Sequence, residues 1–228
     1  LNALEIAALS LKEGEKVINL PIIESVFQQT TLLYDKKGEE HYNIISALHK
    51  SLRDSDPDAG LYWLGRMLEA GEDPLYVARR LIRFASEDVG MADPQALVVA
   101  MAAQQAVHFI GMPEGELALA EVVVYLATAP KSNSIYSAYG KVKEDIKKSR
   151  NEPVPLHLRN PVTSLMKETG YGKNYKYAHD YPGHFVKQRH LPASLNGRRY
   201  YRPGNLGFEA VVAKRWKELQ QLTEEEEK

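Results

Sequence analysis

The dipeptide Asp-Pro recurs at Asp56-Pro57, Asp73-Pro74 and Asp93-Pro94, and it limits the fold more tightly than any other feature. An aspartate at the N-cap offers a side-chain oxygen to the first free N–H groups of a helix. A proline at the next position lacks only an N–H that would have no partner there. Glycines at Gly71, Gly90 and Gly111 supply matching stops. The chain from His41 onward therefore reads as short helices folded into compact hairpins, the first over His41–Leu52. In the helix from Leu75, the residues Leu75, Ala78, Ile82, Ala85 and Val89 step by three and four into one apolar stripe. Arg79, Arg83 and Glu87 lie one turn apart on another face, fit for an intrahelical ion pair or for a neighbouring subunit. Residues 95–110 and 116–128 are rich in Ala, Val and Leu, and both are expected to be well buried. Val122-Val-Val-Tyr125 sits in helical context, and no convincing β-alternation appears. The fold class is all-α.

Upstream, Leu1, Leu4, Ala8 and Leu11 suggest a helix over 1–12, with a second over 22–33 and a loop over Tyr34–Gly38. Beyond Arg150 the prolines 153, 155, 161, 182, 192 and 203 predict a long irregular arm at about 150–207, laid over the helical core. A last helix is expected from about Phe208 to Leu222, then a frayed tail at Glu224–Glu227. The 228 residues allow one large domain or two small ones. The start at Leu1, inside an apparent helix, reads as a piece of a longer chain. Glu5, Lys12 and Glu13 rule out a signal-peptide apolar region, and no run approaches the ~18 apolar residues of a membrane span. The absence of cysteine excludes disulfides and thiolate metal sites and fits a reducing compartment.

The formal net charge of −1 conceals an asymmetry: residues 141–202 carry 14 Lys/Arg against 5 Asp/Glu. That balance suits an anion-facing surface or a solvated basic face. Six of the 13 tyrosines fall between Tyr171 and Tyr201. Cations and rings interleave at Lys173, Tyr175, Lys176 and Tyr177, and again at Arg198, Arg199, Tyr200, Tyr201 and Arg202. Cations neutralise phosphates and rings stack on unpaired bases, which points to single-stranded DNA. The same rings can instead pack irregular backbone. His179, Asp180 and His184 are spaced for no shared helical face, with Pro182 between them, so no metal site is expected. His41 and His49 can share a face but lack a third ligand. Ser132-Asn133-Ser134, beside Lys131, reads as a helix N-cap. Arg159, in an extended Pro155–Arg159 segment, can clamp a carboxylate or phosphate or form a structural ion pair. No GxxxxGK[ST] loop and no nucleophile–base pair occur, so neither catalytic nor cofactor residues are assigned in this chain.

Five segments together carry a resemblance: HYNIISALHKSLRDSDPDAGLYWL (41–64), AGEDPLYVARRLIRFASEDVGMADP (70–94), GMPEGELALAE (111–121), APKSNSIY (129–136) and PLHLRN (155–160). The chain resembles the C-terminal half of the RarA/MgsA family of AAA+ ATPases, bacterial proteins related to the Werner-helicase-interacting protein. The resemblance implies a remnant of the AAA+ lid over 1–33, with Asn2-Ala3-Leu4-Glu5 following the family's sensor-2 arginine. It implies a clamp-loader-like helical collar over 34–228 that holds a homotetramer. It further implies a bacterial cytoplasmic, nucleoid-associated role in replication, recombination and repair at stalled forks. The implied partners are single-strand DNA-binding protein and DNA ends or gaps, with no membrane, while ATP and Mg bind an upstream module. The motif residues His41, Tyr42, Lys50, Arg53, Asp56, Arg79, Arg80, Glu87, Asp88, Lys131, Asn133, His157 and Arg159 are then structural or interface positions. Gly60 and Gly65 stand where the family often has alanine. Each costs helix stability of up to about 1 kcal/mol or permits close helix approach.

Overall fold

The computed structural model describes residues 17–20, 39–149 and 151–226, with the backbone alone for 39, 40 and 222–226. The helices expected over 1–12 and 22–33, the loop over 34–38 and all of the lid remnant except 17–20 lie outside the described residues. Among the described residues there are eight α-helices and no strand. They fall into two compact units, one of residues 1–86 and 95–129, the other of residues 87–94 and 130–228.

The first unit contains α1 (Glu39–Arg53), α2 (Pro57–Glu69), α3 (Pro74–Phe84), α4 (Gln95–Ile110) and α5 (Glu116–Thr128). Helix α5 is central and packs against the other four, while α1 pairs with α2 and α3 with α4. Leu48, Leu52, Met67, Leu81, Phe84, Leu119 and Leu126 form the fully buried core. The start signals act as read. Asp56 accepts from the Ala59 N–H at 2.9 Å, and Asp73 accepts from the Leu75 N–H at 2.9 Å. Helix α4 begins directly after Asp93-Pro94. Gly71 and Gly111 follow α2 and α4 with φ of 75° and 82°, a region open to glycine at no steric cost. At Gly60 a Cβ would lie 2.9 Å from Val123 Cγ1 and 3.2 Å from Leu52 Cδ2, so α1, α2 and α5 close on this point. Gly65 has open space and no such reason.

Two expectations of burial need correction. The covered sector of α3 is Val77, Ala78, Leu81 and Phe84, whereas Leu75 is exposed and Ile82 only half-buried. Helix α3 is packed on two sides, by α4 and α5, which centres its buried sector between the two neighbours. Beyond Phe84 the backbone widens into a π-turn, Ala85–Val89, whose extra residue changes the phase and still buries Ala85 and Val89. Helix α4 is buried only along Ala96, Ala100, Ala103 and Val107. Its other side leaves Leu97, Val98, Met101 and Phe109 exposed, and Ile110 is exposed where the covered stripe runs out at the end of the helix. Gln105 and His108 share that outward side, but polar residues are too sparse along this helix for a period to say which side its own chain will cover. Small alanines mark the covered side here, because they let α3 and α5 approach.

The second unit comprises the end of the π-turn, a 3₁₀ turn at Gly90–Ala92, α6 (Ser134–Lys148), the one-turn α7 (Ser164–Glu168) and α8 (Gly207–Glu226). Between α6 and α8 the chain is irregular, as its prolines predict, with 3₁₀ turns at Leu156–Leu158, Ala178–Asp180, Pro182–His184 and Ala193–Leu195. Helix α8 runs through Glu226, so 224–226 are helical rather than a frayed tail, and 227 lies outside the described residues. Gly207 has φ 53°, and a Cβ there would meet the Ala92 carbonyl oxygen at 2.1 Å. The first residue of α8 thus abuts the 3₁₀ turn backbone to backbone.

Candidate functional site

The second unit is organised round a carboxylate that the sequence did not single out. Glu209, in the first turn of α8, is 0% exposed. Its Oε2 accepts from Ser132 Oγ at 2.6 Å and from the Gly204 N–H at 2.9 Å. Its Oε1 accepts from the Tyr201 hydroxyl at 3.0 Å and from Ser134 Oγ. Burial alone would raise the Glu209 pKa, but these four donors outweigh it and hold the group below its usual value. Tyr201 is pushed up to about 12, by burial first and by Glu209 second. The Ser132-Asn133-Ser134 segment does start α6. Its cap is Ser132, whose Oγ accepts from the Ser134 N–H at 3.2 Å, while the Asn133 side chain caps nothing. Neighbouring Lys131 is held below its ordinary pKa by partial burial, against the opposing pull of Asp88. The Asp88 carbonyl takes the Ser132 N–H at 2.8 Å.

The basic residues picked out in the sequence divide into three groups. Lys173 and Lys176 line an open groove of about 700 Å³ with Leu156, His157, Gly170, Asn174, Lys187, Gln188 and Arg189. Its walls are pinned by local bonds. The His157 ring donates from Nε2 to the Arg189 carbonyl at 2.6 Å. Gln188 clamps the Lys176 backbone, accepting from its N–H at 3.2 Å and donating to its carbonyl at 2.8 Å. Arg199 and Arg202 line a second groove of about 800 Å³ with Pro203, Ala213, Lys214, Trp216, Lys217 and Gln220. Among the described residues no Asp or Glu lines either groove. Arg198 is spent elsewhere. It donates to both oxygens of Asp145, at 2.6 and 3.1 Å. That pairing holds the Asp145 carboxyl below its usual range and raises Arg198, while desolvation and the Asp145 bond raise the Tyr200 phenol.

Tyr175 and Tyr177 are exposed. Tyr177 contacts the His179 ring, and His179 the His184 ring, with centroids 5.1 and 4.9 Å apart. Among the described residues no group of three or more His, Cys, Asp or Glu is placed to hold a metal ion. Among the described residues Arg159 clamps no carboxylate: its Nε donates to the Val154 carbonyl at 2.7 Å and its Nη1 to the Tyr171 hydroxyl at 3.1 Å, bracing the irregular segment.

In the first unit His41 is buried, with Nδ1 2.6 Å from Glu72 Oε2 and Nε2 3.0 Å from the Tyr76 hydroxyl, tying α1 to the start of α3. His49 is buried edge-on to Phe84, at 5.5 Å between ring centroids. Tyr42, Lys50, Arg53 and Asp56 are exposed. Arg79 is exposed with its guanidinium 5.0 Å from the Tyr76 ring centre, and Arg80 is half-buried. Glu87 and Asp88, also half-buried, belong to the second unit. Sequence reasoning missed Glu209, Asp145, Lys214, Trp216 and Lys217. For the last three, one signal was available: a tryptophan between lysines on a helix just past the basic window.

Residues 54–220 match the family model described as MgsA AAA+ ATPase C terminal, and residues 1–53 match one described as AAA C-terminal domain. The replication-associated recombination protein A of Coxiella burnetii is 48% identical over 228 residues, covering 99% of this chain and 52% of the relative. The Escherichia coli K12 protein of the same name is 44% identical over 219 residues, covering 94% and 49%. The ATPase WRNIP1 of Dictyostelium discoideum is 49% identical over 178 residues, covering 78% of this chain and 20% of the relative. The chain spans about half the length of the bacterial relatives. No helix among the described residues is long and apolar enough to cross a membrane.

Proposed function

The chain belongs to the MgsA AAA+ ATPase C-terminal family, and from that premise we propose that it is the assembly and partner-docking part of an ATPase serving replication-associated recombination. ATP and magnesium are handled by sequence outside this chain. The chain gathers copies of itself, four in the reading the family resemblance implies, and presents single-strand DNA-binding protein and DNA ends or gaps to the assembly. The observation that carries this reading is the concentration of large apolar residues left exposed on α4. Phe109 is 91% exposed, in company with Leu97, Val98, Met101 and Ile110 on the same helix, and Leu117 on α5 is 78% exposed. Lone exposed apolar residues are ordinary, but a concentration on one helix marks a surface that is covered in use. Self-complementary patches close into symmetric oligomers. Light scattering over a dilution series tests it. Wild type should give a concentration-dependent oligomer, and Phe109→Glu a monomer of unchanged helix content. A wild-type monomer at every concentration defeats the reading.

A second reading has its own observation, the two cationic grooves of the second unit, which no Asp or Glu lines among the described residues. On this reading they hold the phosphates of a single-stranded nucleic acid. Alanine at Lys173, Lys176, Arg199 and Arg202 together should weaken oligonucleotide binding. It should also flatten the fall of log K with log salt by about 0.7 for each phosphate no longer neutralised. An unchanged salt slope refutes it.

A further inference from the structure

The two grooves are not equivalent, and the difference assigns one of them a base. The first offers cations and the His157 ring, which is tied to the Arg189 carbonyl, but no Trp, Tyr or Phe in its wall. The second has Trp216, 42% exposed, with the Arg199 guanidinium 5.7 Å from its ring centre. An exposed indole carrying a planar cation is a surface on which a planar base stacks. Lys214 and Lys217 flank Trp216 on α8, and Arg202 faces them from the extended segment before the helix. Three cations around one ring match a nucleotide's own layout, a flat apolar face with an anionic linker on either side. A duplex keeps its bases stacked on each other and offers the indole none. An acidic peptide would satisfy the cations and leave the ring without a flat partner.

We propose that this groove is a nucleotide subsite for single-stranded nucleic acid, an unpaired base stacking on Trp216 while Arg202, Lys214 and Lys217 hold the flanking phosphates. The proposal rests on the second reading above and adds to it the residue that separates single strand from duplex. Arg198, four residues before Arg202, takes no part, because Asp145 holds it.

The test uses the whole chain with Trp63→Phe, which leaves Trp216 as the sole tryptophan of the original two. It is titrated with a thymidine oligonucleotide, with a duplex of equal length and with a polyglutamate peptide. The oligonucleotide should quench the indole emission and the duplex should bind without quenching. By anisotropy, Trp216→Ala should weaken oligonucleotide binding roughly five- to hundredfold and leave the duplex affinity and the salt slope unchanged. Trp216→Phe, which keeps a ring and the local packing, should restore part of the loss. Oligonucleotide bound without quenching, and equally by Trp216→Ala, overturns the proposal and leaves the grooves as phosphate sites. No binding of any nucleic acid overturns the second reading and this proposal with it. Polyglutamate that quenches and displaces the oligonucleotide makes the groove a peptide site and also overturns it.

Discussion

Replacing Glu209 by glutamine tests whether the second unit is built round a buried anion. The carboxylate meets four donors, two on each oxygen. Glutamine can keep its oxygen at the Oε2 position, where the Gly204 N–H can only donate, and turn its amide nitrogen toward Ser134 and Tyr201. Those hydroxyls are rotors and can accept instead. The shape survives and the charge assistance is lost, an expected cost of about 1–2 kcal/mol. Glu209→Ala leaves every donor facing a void, and about 3–5 kcal/mol is expected. With a urea slope of roughly 2 kcal/mol/M, these are midpoint shifts of under 1 M and of about 2 M. Trp216 emission in the Trp63→Phe background reports the second unit alone. The pH dependence has a definite sign. The folded pKa of Glu209 lies below its unfolded value, so its contribution is full above the usual glutamate pKa and is lost as pH falls through the folded value. Glu209→Gln should therefore flatten the acid limb of the stability curve. A glutamine variant as stable as wild type at neutral pH, with the same acid limb, refutes the argument.

The two glycines of α2 should respond differently. Gly65→Ala meets nothing within 4 Å and should stabilise by about 0.8 kcal/mol, whereas Gly60→Ala drives a Cβ into Val123 and Leu52 and should show no gain or a loss of up to about 2 kcal/mol. Urea midpoints at constant slope decide between them, and equal gains at both sites would show that α2 has room the packing denies. Arg198→Ala should lower the thermal midpoint by scanning fluorimetry yet leave oligonucleotide affinity within about twofold, because its guanidinium is already paired. A loss of affinity equal to that of Arg202→Ala would return Arg198 to the binding surface.

What was legible in the sequence is what is local. Asp56 and Asp73 cap helices through N–H groups two and three residues away, and a reader sees both partners in one glance. The outward side of α4 was not legible, since Leu97 and Val107 are equally apolar and only the packing separates exposed from buried. Glu209 gave no signal, because its serine partners lie 77 and 75 residues upstream. The basic segment was visible as composition, but composition cannot say that Asp145, 53 residues earlier, removes Arg198 from use. Nor could a window ending at residue 202 include Trp216, which joins Arg199 only when α8 folds alongside it.

The chain crosses between its two units three times, after residues 86, 94 and 129. Residues 87–94 are thus a loan from the middle of one unit to the other, and Gly207 is seated against that loan at Ala92. No single cut divides the polypeptide into two self-sufficient pieces. Severing it at residue 130 would release an N-terminal fragment carrying a stranded turn and a C-terminal fragment with a socket where Ala92 had been.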